Sequence, residues 1–471
     1  MNIIINYIPI KASGIVKNLD VEAFHYWERK KMRIGVIGDN SIEMIEKVID
    51  IWNCGECVIL IDWRIPYKTI VEMLEEVNAE KCYIDEKYLK GTNQKIGNKK
   101  FEVITYLSSD NRIKKMPKEL YDKFKGNYSK TEALILFSSG TTGKAKGIIL
   151  SHYAINKNAD EVFGYMRLDS SDSIYIQKTL CHSSTFVCEL LVALKHKIKL
   201  FISSTVITPN IILKNIMSNK ITVTCLNPTI LRLLTIAAEK GQYVFDTLKV
   251  IYCSGAVLDI NIYERAKKVF KNVSIFNVYG LTEAGPRVAA QIPNCYDSQG
   301  SVGKVLNCVT IKIVDNQGRE KGVNEQGIIN IKTDCAFIGY ANCVDKRLAD
   351  EWINTKDIGY LNDNNELYVL GRSDNMINID SHNIFAEEVE QRILDLKNVE
   401  NCLVYGEKNE KSCYLLCCDY VGKIEDEKEI ITFLKNYLPL YEIPKKYRRV
   451  DSIAYTLNGK KKRNKNLGEY D

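Results

Sequence analysis

The chain contains no apolar run long enough to span a bilayer, and its first residues, Met1-Asn2-Ile3-Ile4-Ile5, carry no basic region ahead of an apolar stretch. Those absences predict a protein with no secretory leader and no membrane insertion, working in the cytoplasm. A strong charge imbalance is also missing. The net charge is only +6 over 471 residues, too little to imply nucleic acid as a partner. The fifteen cysteines have no extracellular context and read as reduced thiols, not a disulfide framework. Cys54-Gly55-Glu56-Cys57 is a lone C-x-x-C without a second pair or nearby histidines, so buried structural thiols are expected there rather than zinc. Internal repeats and low-complexity tracts are absent, and so is the G-x-x-x-x-G-K-S/T loop of the Walker type.

What is present is a chain with 45% hydrophobic residues, enough for a large core and more than one domain. Apolar runs at Arg33–Gly38, Cys57–Ile61 and Lys81–Asp85 predict strands, and the helical spacing of Ser41–Trp52 and Tyr67–Val77 predicts helices between them. Ser41 is the expected N-cap of the first. This alternation argues for a parallel, helix-covered sheet. It continues through Ser173–Ile176, Lys199–Ile202, Val223–Leu226 and Val250–Cys253. From Ser301 to Lys332 the texture changes to Val- and Ile-rich strands separated by Gly and Asn turns, which predicts a β-rich lobe. Beyond Gly371-Arg372-Ser373-Asp374 about a hundred residues remain, a small α+β domain.

One segment outweighs the rest. Leu134–Phe137 reads as a buried strand and runs into Ser138-Ser139-Gly140-Thr141-Thr142-Gly143-Lys144-Ala145-Lys146-Gly147. Glycines there let the backbone approach a ligand, hydroxyls and amides donate to phosphate oxygens, and two lysines add positive charge. A mobile surface loop would have a similar composition, but its position directly after a strand favours phosphate binding. The order of residues resembles the phosphate loop of the adenylate-forming superfamily (acyl-CoA synthetases, peptide-synthetase adenylation domains, luciferases), T/S-S-G-T-T-G-x-P-K-G, with Ala145 in place of the proline.

The resemblance extends from about Arg33 to Arg463 and implies an α/β fold: a large N-terminal domain, residues 1–373, of helix-covered sheets plus a β-rich lobe, and a small mobile C-terminal α+β domain, residues 375–471, hinged at Asp374. Tyr279-Gly280-Leu281-Thr282-Glu283 resembles the Y-G-x-T-E motif, which implies Tyr279 against adenine, Thr282 on a phosphate and Glu283 on magnesium, with Thr142 a second metal contact. Cys253-Ser254-Gly255-Ala256 is similar to the turn beside adenine. Asp357 and Gly371-Arg372-Ser373-Asp374 resemble the ribose-binding aspartate and the G-R-x-D hinge motif, although Lys356 replaces the usual glycine. Thr456-Leu457-Asn458-Gly459-Lys460 is similar to T-x-x-G-K, which implies that Lys460 enters the site during adenylation; a solvated basic tail is the alternative.

These residues together imply ATP and Mg2+ as cofactors, a small carboxylic acid as substrate, and CoA or a carrier protein's phosphopantetheine arm as acceptor. Lys460, Thr282, Glu283 and Lys146 are the expected catalytic set. Where peptide-synthetase domains place an aspartate for the substrate's α-ammonium, Ser184 stands, and no acidic residue follows until Glu189. Burying an ammonium without an anion is costly, so an aryl or aliphatic acid without an α-amine is expected. His182 gates or contacts the substrate, or is a core histidine. Ser381 and Ala386 depart from the glycine and proline of CoA-using relatives, which keeps the carrier protein open as acceptor. A non-catalytic nucleotide-binding relative is the reading of a different class.

Overall fold

The computed structural model describes residues 31–89, 100–109, 112–138, 146–258, 260–292, 300–341, 351–373, 376–379, 382–408, 414–424, 426–455 and 461–462. Strands at Arg33–Gly38, Cys57–Asp62 and Lys81–Asp85 form where the apolar runs predict them, and they pair in parallel. The helix between the first two, Ile42–Asn53, is capped by Ser41, whose hydroxyl accepts from the Met44 amide at 3.1 Å. Its buried positions Met44, Ile45, Val48 and Ile49 lie on one face, as the helical period requires.

The parallel rhythm is divided between two sheets. The first has seven strands and ends in an antiparallel hairpin of Glu132–Ser138 with Lys146–Ser151, followed at the edge by Gly339–Tyr340. The second has twelve among the described residues, with the short strand Lys114–Lys115 antiparallel at one edge. One half is parallel, built from Lys199–Ile202, Ser173–Ile176, Val223–Leu226, Val250–Cys253 and Ser274–Gly280. The other half is the expected β-rich part, and it is antiparallel: Arg287–Ala290, Ser301–Val305, Glu366–Arg372, Ile353–Leu361, Gly327–Thr333 and Val309–Val314. Strand Ser274–Gly280 joins the halves, parallel on one side and antiparallel on the other.

The largest core lies between the sheets. Val36, Leu60 and Leu134 of the first and Ile174, Ile202 and Val223 of the second pack on helix His152–Met166 and the buried run Phe186–Leu194. Helix Tyr67–Glu76 covers the other face of the first sheet, and helices Pro209–Ser218, Pro228–Lys240 and Ile260–Val269 cover the other face of the second. Beyond residue 376, helices Ala386–Leu394 and Glu427–Leu434 pack on a sheet of Val399–Lys408, Tyr414–Gly422 and Lys446–Arg449 with a hydrophobic core of their own. This part touches the rest through Arg232, which donates to the Glu400 carbonyl at 3.2 Å, and through an Asn261–Asp395 side-chain hydrogen bond. No helix among the described residues is long and apolar enough to cross a membrane. Of the C-x-x-C pair, Cys57 is buried as expected; Cys54 is exposed, because it lies one residue past the helix end and its amide caps the last turn.

Candidate functional site

Parallel strands direct their carboxyl ends, and the loops that follow, toward one side, and ligands of open α/β sheets bind there at the point where the strand order changes. A cleft of about 1370 Å³ lies at that place. Gln177, Lys178, Asn227, Ser254 and Gly280 reach it from the ends of successive strands. Gly255 has φ +94°, a left-handed conformation that favours glycine, and so turns the chain away after Ser254. Ser254, Gly255 and Ala256 all line the cleft.

At the junction of the two half-sheets, Tyr279 donates its hydroxyl to Asp357 Oδ2, and Arg372 donates to Asp357 Oδ1 at 3.2 Å and to the Thr355 carbonyl at 3.3 Å. Asp357 and Arg372 face each other across paired strands, which fixes the pair from the backbone. Burial and the adjacent carboxylate push the Tyr279 phenol well above its ordinary value, so Tyr279 serves as a donor. Gly280 follows directly. A Cβ added there would lie 2.2 Å from the Pro286 carbonyl oxygen, a backbone atom that cannot move aside. Gly280→Ala is therefore expected to lower unfolding free energy by about 1–3 kcal/mol, measured by denaturant unfolding.

The turn Thr282–Ala284 continues from this strand. The Thr282 hydroxyl lies 2.9 Å from that of Ser183. Glu283 Oε1 accepts from the Tyr340 hydroxyl at 3.2 Å, and the Lys146 ammonium stands 5.3 Å over the Tyr340 ring. Ser138 pairs with Lys146 across the hairpin. Tyr340 thus links Lys146 and Glu283 although 137 positions separate them in the chain.

Farther along the cleft lie His182 and Ser184. The segment that carries them is held by buried Asn40, which accepts from the Leu180 amide at 2.9 Å and donates to the Lys178 carbonyl at 2.7 Å. Nearby, burial opposes ionisation of Asp62, but two hydrogen bonds from the Arg64 guanidinium hold its carboxyl below the usual carboxylate range. Glu189 is fully buried in a wide π-helical turn, Phe186–Leu191, and forms an ion pair with Lys178 at 3.1 Å.

Thus Lys146, His182, Ser184, Ser254, Gly255, Ala256, Tyr279, Gly280, Thr282, Glu283, Asp357 and Arg372 share one cleft. Ser138 is the last residue of the strand Glu132–Ser138, one position past the expected run Leu134–Phe137. Ser139, Gly140, Thr141, Thr142, Gly143, Asp374, Ser381 and Lys460 lie outside the described residues. Tyr455 and Lys461, on either side of the Thr456–Lys460 segment, line the cleft and bridge each other. Sequence reasoning passes over Ser183, Tyr340, Lys178 and Arg287. Only Lys178 carries a signal, as a charged residue placed just past the end of an apolar strand.

The family model described as AMP-binding enzyme matches residues 28–341, most of the chain. The chain belongs to the AMP-binding enzymes. Bacitracin synthase 2 of Bacillus licheniformis is 26% identical over 444 residues, 91% of this chain but only 16% of its own length. VraA of Staphylococcus haemolyticus, assigned as a long chain fatty acid–CoA ligase, is 30% identical over 218 residues, 46% of this chain and 45% of its own. The stretch of this AMP-binding enzyme that aligns thus covers less than half the length of either relative. Its fold is similar to the crystal structure of the anthranilate CoA ligase AuaEII in complex with anthranoyl-AMP, with a TM-score of 0.81, 18% identity, and coverage of 94% of this chain and 87% of that one. The family match ends before Asp357 and Arg372, yet both stand in the same cleft as the matched residues.

Proposed function

We propose that this AMP-binding enzyme activates a carboxylic acid without an α-amine. A carboxylate oxygen attacks the α-phosphorus of ATP, the bond to the β-phosphate oxygen breaks, and pyrophosphate leaves. A thiolate then attacks the acyl carbon of the adenylate and AMP leaves. The observation that carries this reading is the joined set Tyr279–Asp357–Arg372 beside Thr282 and Glu283 in one cleft. Asp357 accepts the ribose hydroxyls, Arg372 contacts ribose or phosphate, and Ser254–Ala256 and Tyr279 flank adenine. Residues Ser138–Gly143, Lys146 and Thr282 hold phosphates, and Lys460 stabilises charge at the reacting centre. The small domain beyond Asp374 rotates between the half-reactions.

The residues fit magnesium. Glu283 offers a carboxylate in the cleft beside Thr282, which suits a cation held otherwise by nucleotide phosphates and water. Bound Mg2+ neutralises charge on the triphosphate. Chelation is expected to abolish pyrophosphate exchange and Mg2+ to restore it, measured with labelled pyrophosphate.

CoA is the first acceptor to test, supported by the likeness to CoA ligases. The second is a carrier protein's phosphopantetheine arm, favoured by Ser381 and Ala386 and by the alignment to one portion of a much longer synthase. The deciding experiment is ATP–pyrophosphate exchange against aryl, short-chain, medium-chain and amino acids. Strong exchange with a non-amino acid supports the proposal. Exchange with amino acids alone overturns the substrate class, and ATP binding without exchange for any acid points to a non-catalytic relative. Supplying CoA or a loaded carrier protein then separates the acceptors.

A further inference from the structure

Two cations, Lys178 and Arg287, lie in the most buried part of the cleft lining, and a buried anion, Glu189, packs against the first of them. Lys178 is 8% exposed, Arg287 3% and Glu189 not at all. Lys178 and Glu189 neutralise each other at 3.1 Å. Arg287 forms no ion pair among the described residues, and its Nε has no hydrogen-bond partner there. Its neighbours Tyr165 and Cys188, which it bonds, and Cys225 are neutral, because burial pushes their hydroxyl and thiols up from their ordinary values, and Glu189, whose charge also reaches it, is already paired with Lys178. Asp62 is already bonded to Arg64.

The position of Arg287 is fixed from behind. Its amide donates to Asn158 Oδ1 at 2.9 Å and its carbonyl accepts from Asn158 Nδ2 at 3.0 Å. Arg287 begins the strand that follows the Thr282–Ala284 turn, so the guanidinium lies a few residues from the groups assigned above to phosphate and magnesium, on the same cleft. Gln177, also 3% exposed, lines the same wall, and its Oε1 has no partner among the described residues. A buried guanidinium without a counterion is expensive, and a ligand anion removes that expense.

We propose that Arg287 receives a second anionic group of the substrate, so that the acid this enzyme adenylates is a dicarboxylic acid. One carboxylate reacts at the phosphates and the other pairs with the guanidinium. The proposal rests on the acid-activating reading above. It also deepens the argument from Ser184, since an uncompensated cation repels an α-ammonium as well as failing to pair with it.

The test is pyrophosphate exchange with aliphatic and aryl dicarboxylic acids, each paired with its half-methyl ester, in wild type and in Arg287→Leu, Arg287→Gln and Arg287→Lys. Wild type is expected to prefer the diacid in kcat/KM by roughly 100-fold or more, the scale of a desolvated charge pair. Arg287→Leu and Arg287→Gln reverse the preference toward the half-ester, and Arg287→Lys retains most of it. The KM for ATP moves little, and AMP binding by calorimetry reports that each variant is folded; where the leucine variant is not, the glutamine variant is read. The proposal is overturned if wild type shows no diacid preference, if the preference survives in the glutamine and leucine variants, or if only the KM for ATP changes. Exchange confined to monocarboxylic acids removes this inference and leaves the activating reading standing. No exchange with any acid, together with no calorimetric binding of the diacids, removes both.

Discussion

Lys460→Ala is expected to reduce acyl-adenylate formation by about 100- to 1000-fold, the effect of losing one group aimed at charge that develops in the transition state. The same variant, given synthetic acyl-adenylate and the acceptor thiol, is expected to form thioester at close to the wild-type rate, because in the proposed mechanism the small domain turns the lysine away for the second step. Pyrophosphate exchange reads the first half-reaction and a thioester assay reads the second. Equal loss in both would reject a division of labour by domain rotation. The flanking residues make the expectation concrete: Tyr455 and Lys461 line the cleft, and Lys461 is anchored there by an ion pair to Glu390 at 2.7 Å.

Asp357→Ala should have the next largest effect. It removes the acceptor of both the Tyr279 hydroxyl and the Arg372 guanidinium, along with the proposed ribose contact. AMP affinity is expected to fall roughly 10- to 100-fold, since hydrogen bonds to a charged group are worth about 1.5–3 kcal/mol. Unfolding free energy should fall as well, by about 1–3 kcal/mol, for the donors left unsatisfied. Arg372 is partly exposed and keeps its bond to the Thr355 carbonyl, which limits the stability loss. Calorimetry with AMP and denaturant unfolding separate the two effects. A variant that loses stability but binds AMP as before would remove Asp357 from the ribose site.

Strands such as Lys81–Asp85, Ser173–Ile176 and Val250–Cys253 could be read from the sequence because each is a short apolar run closed by polar or turn residues, and their bounds in the structure are those expected. The helix cap at Ser41 was legible for the same local reason. The division of the rhythm into two sheets was not, since nothing in a strand's own residues says which neighbour it will pair with. The site divides along the same line. Tyr279–Glu283, Asp357 and Arg372 lie in local motifs that the sequence shows, and they line the cleft. Ser183, rather than its neighbour Ser184, meets Thr282 across 99 positions, and the role proposed for Arg287 comes only from its having no ion pair of its own among the described residues. Contacts of that kind are properties of packing and leave no periodicity to read.

The helix His152–Met166 and the run Phe186–Leu194 serve as core for both sheets at once. A scaffold built this way ties its halves together. A change of volume in that shared layer displaces the ends of strands from each sheet, and so disturbs nucleotide and acid together. Single side chains on the cleft wall bear no such obligation. On the proposed reading, selectivity among acids drifts there, one residue at a time, while the loops assigned to the nucleotide are inherited intact.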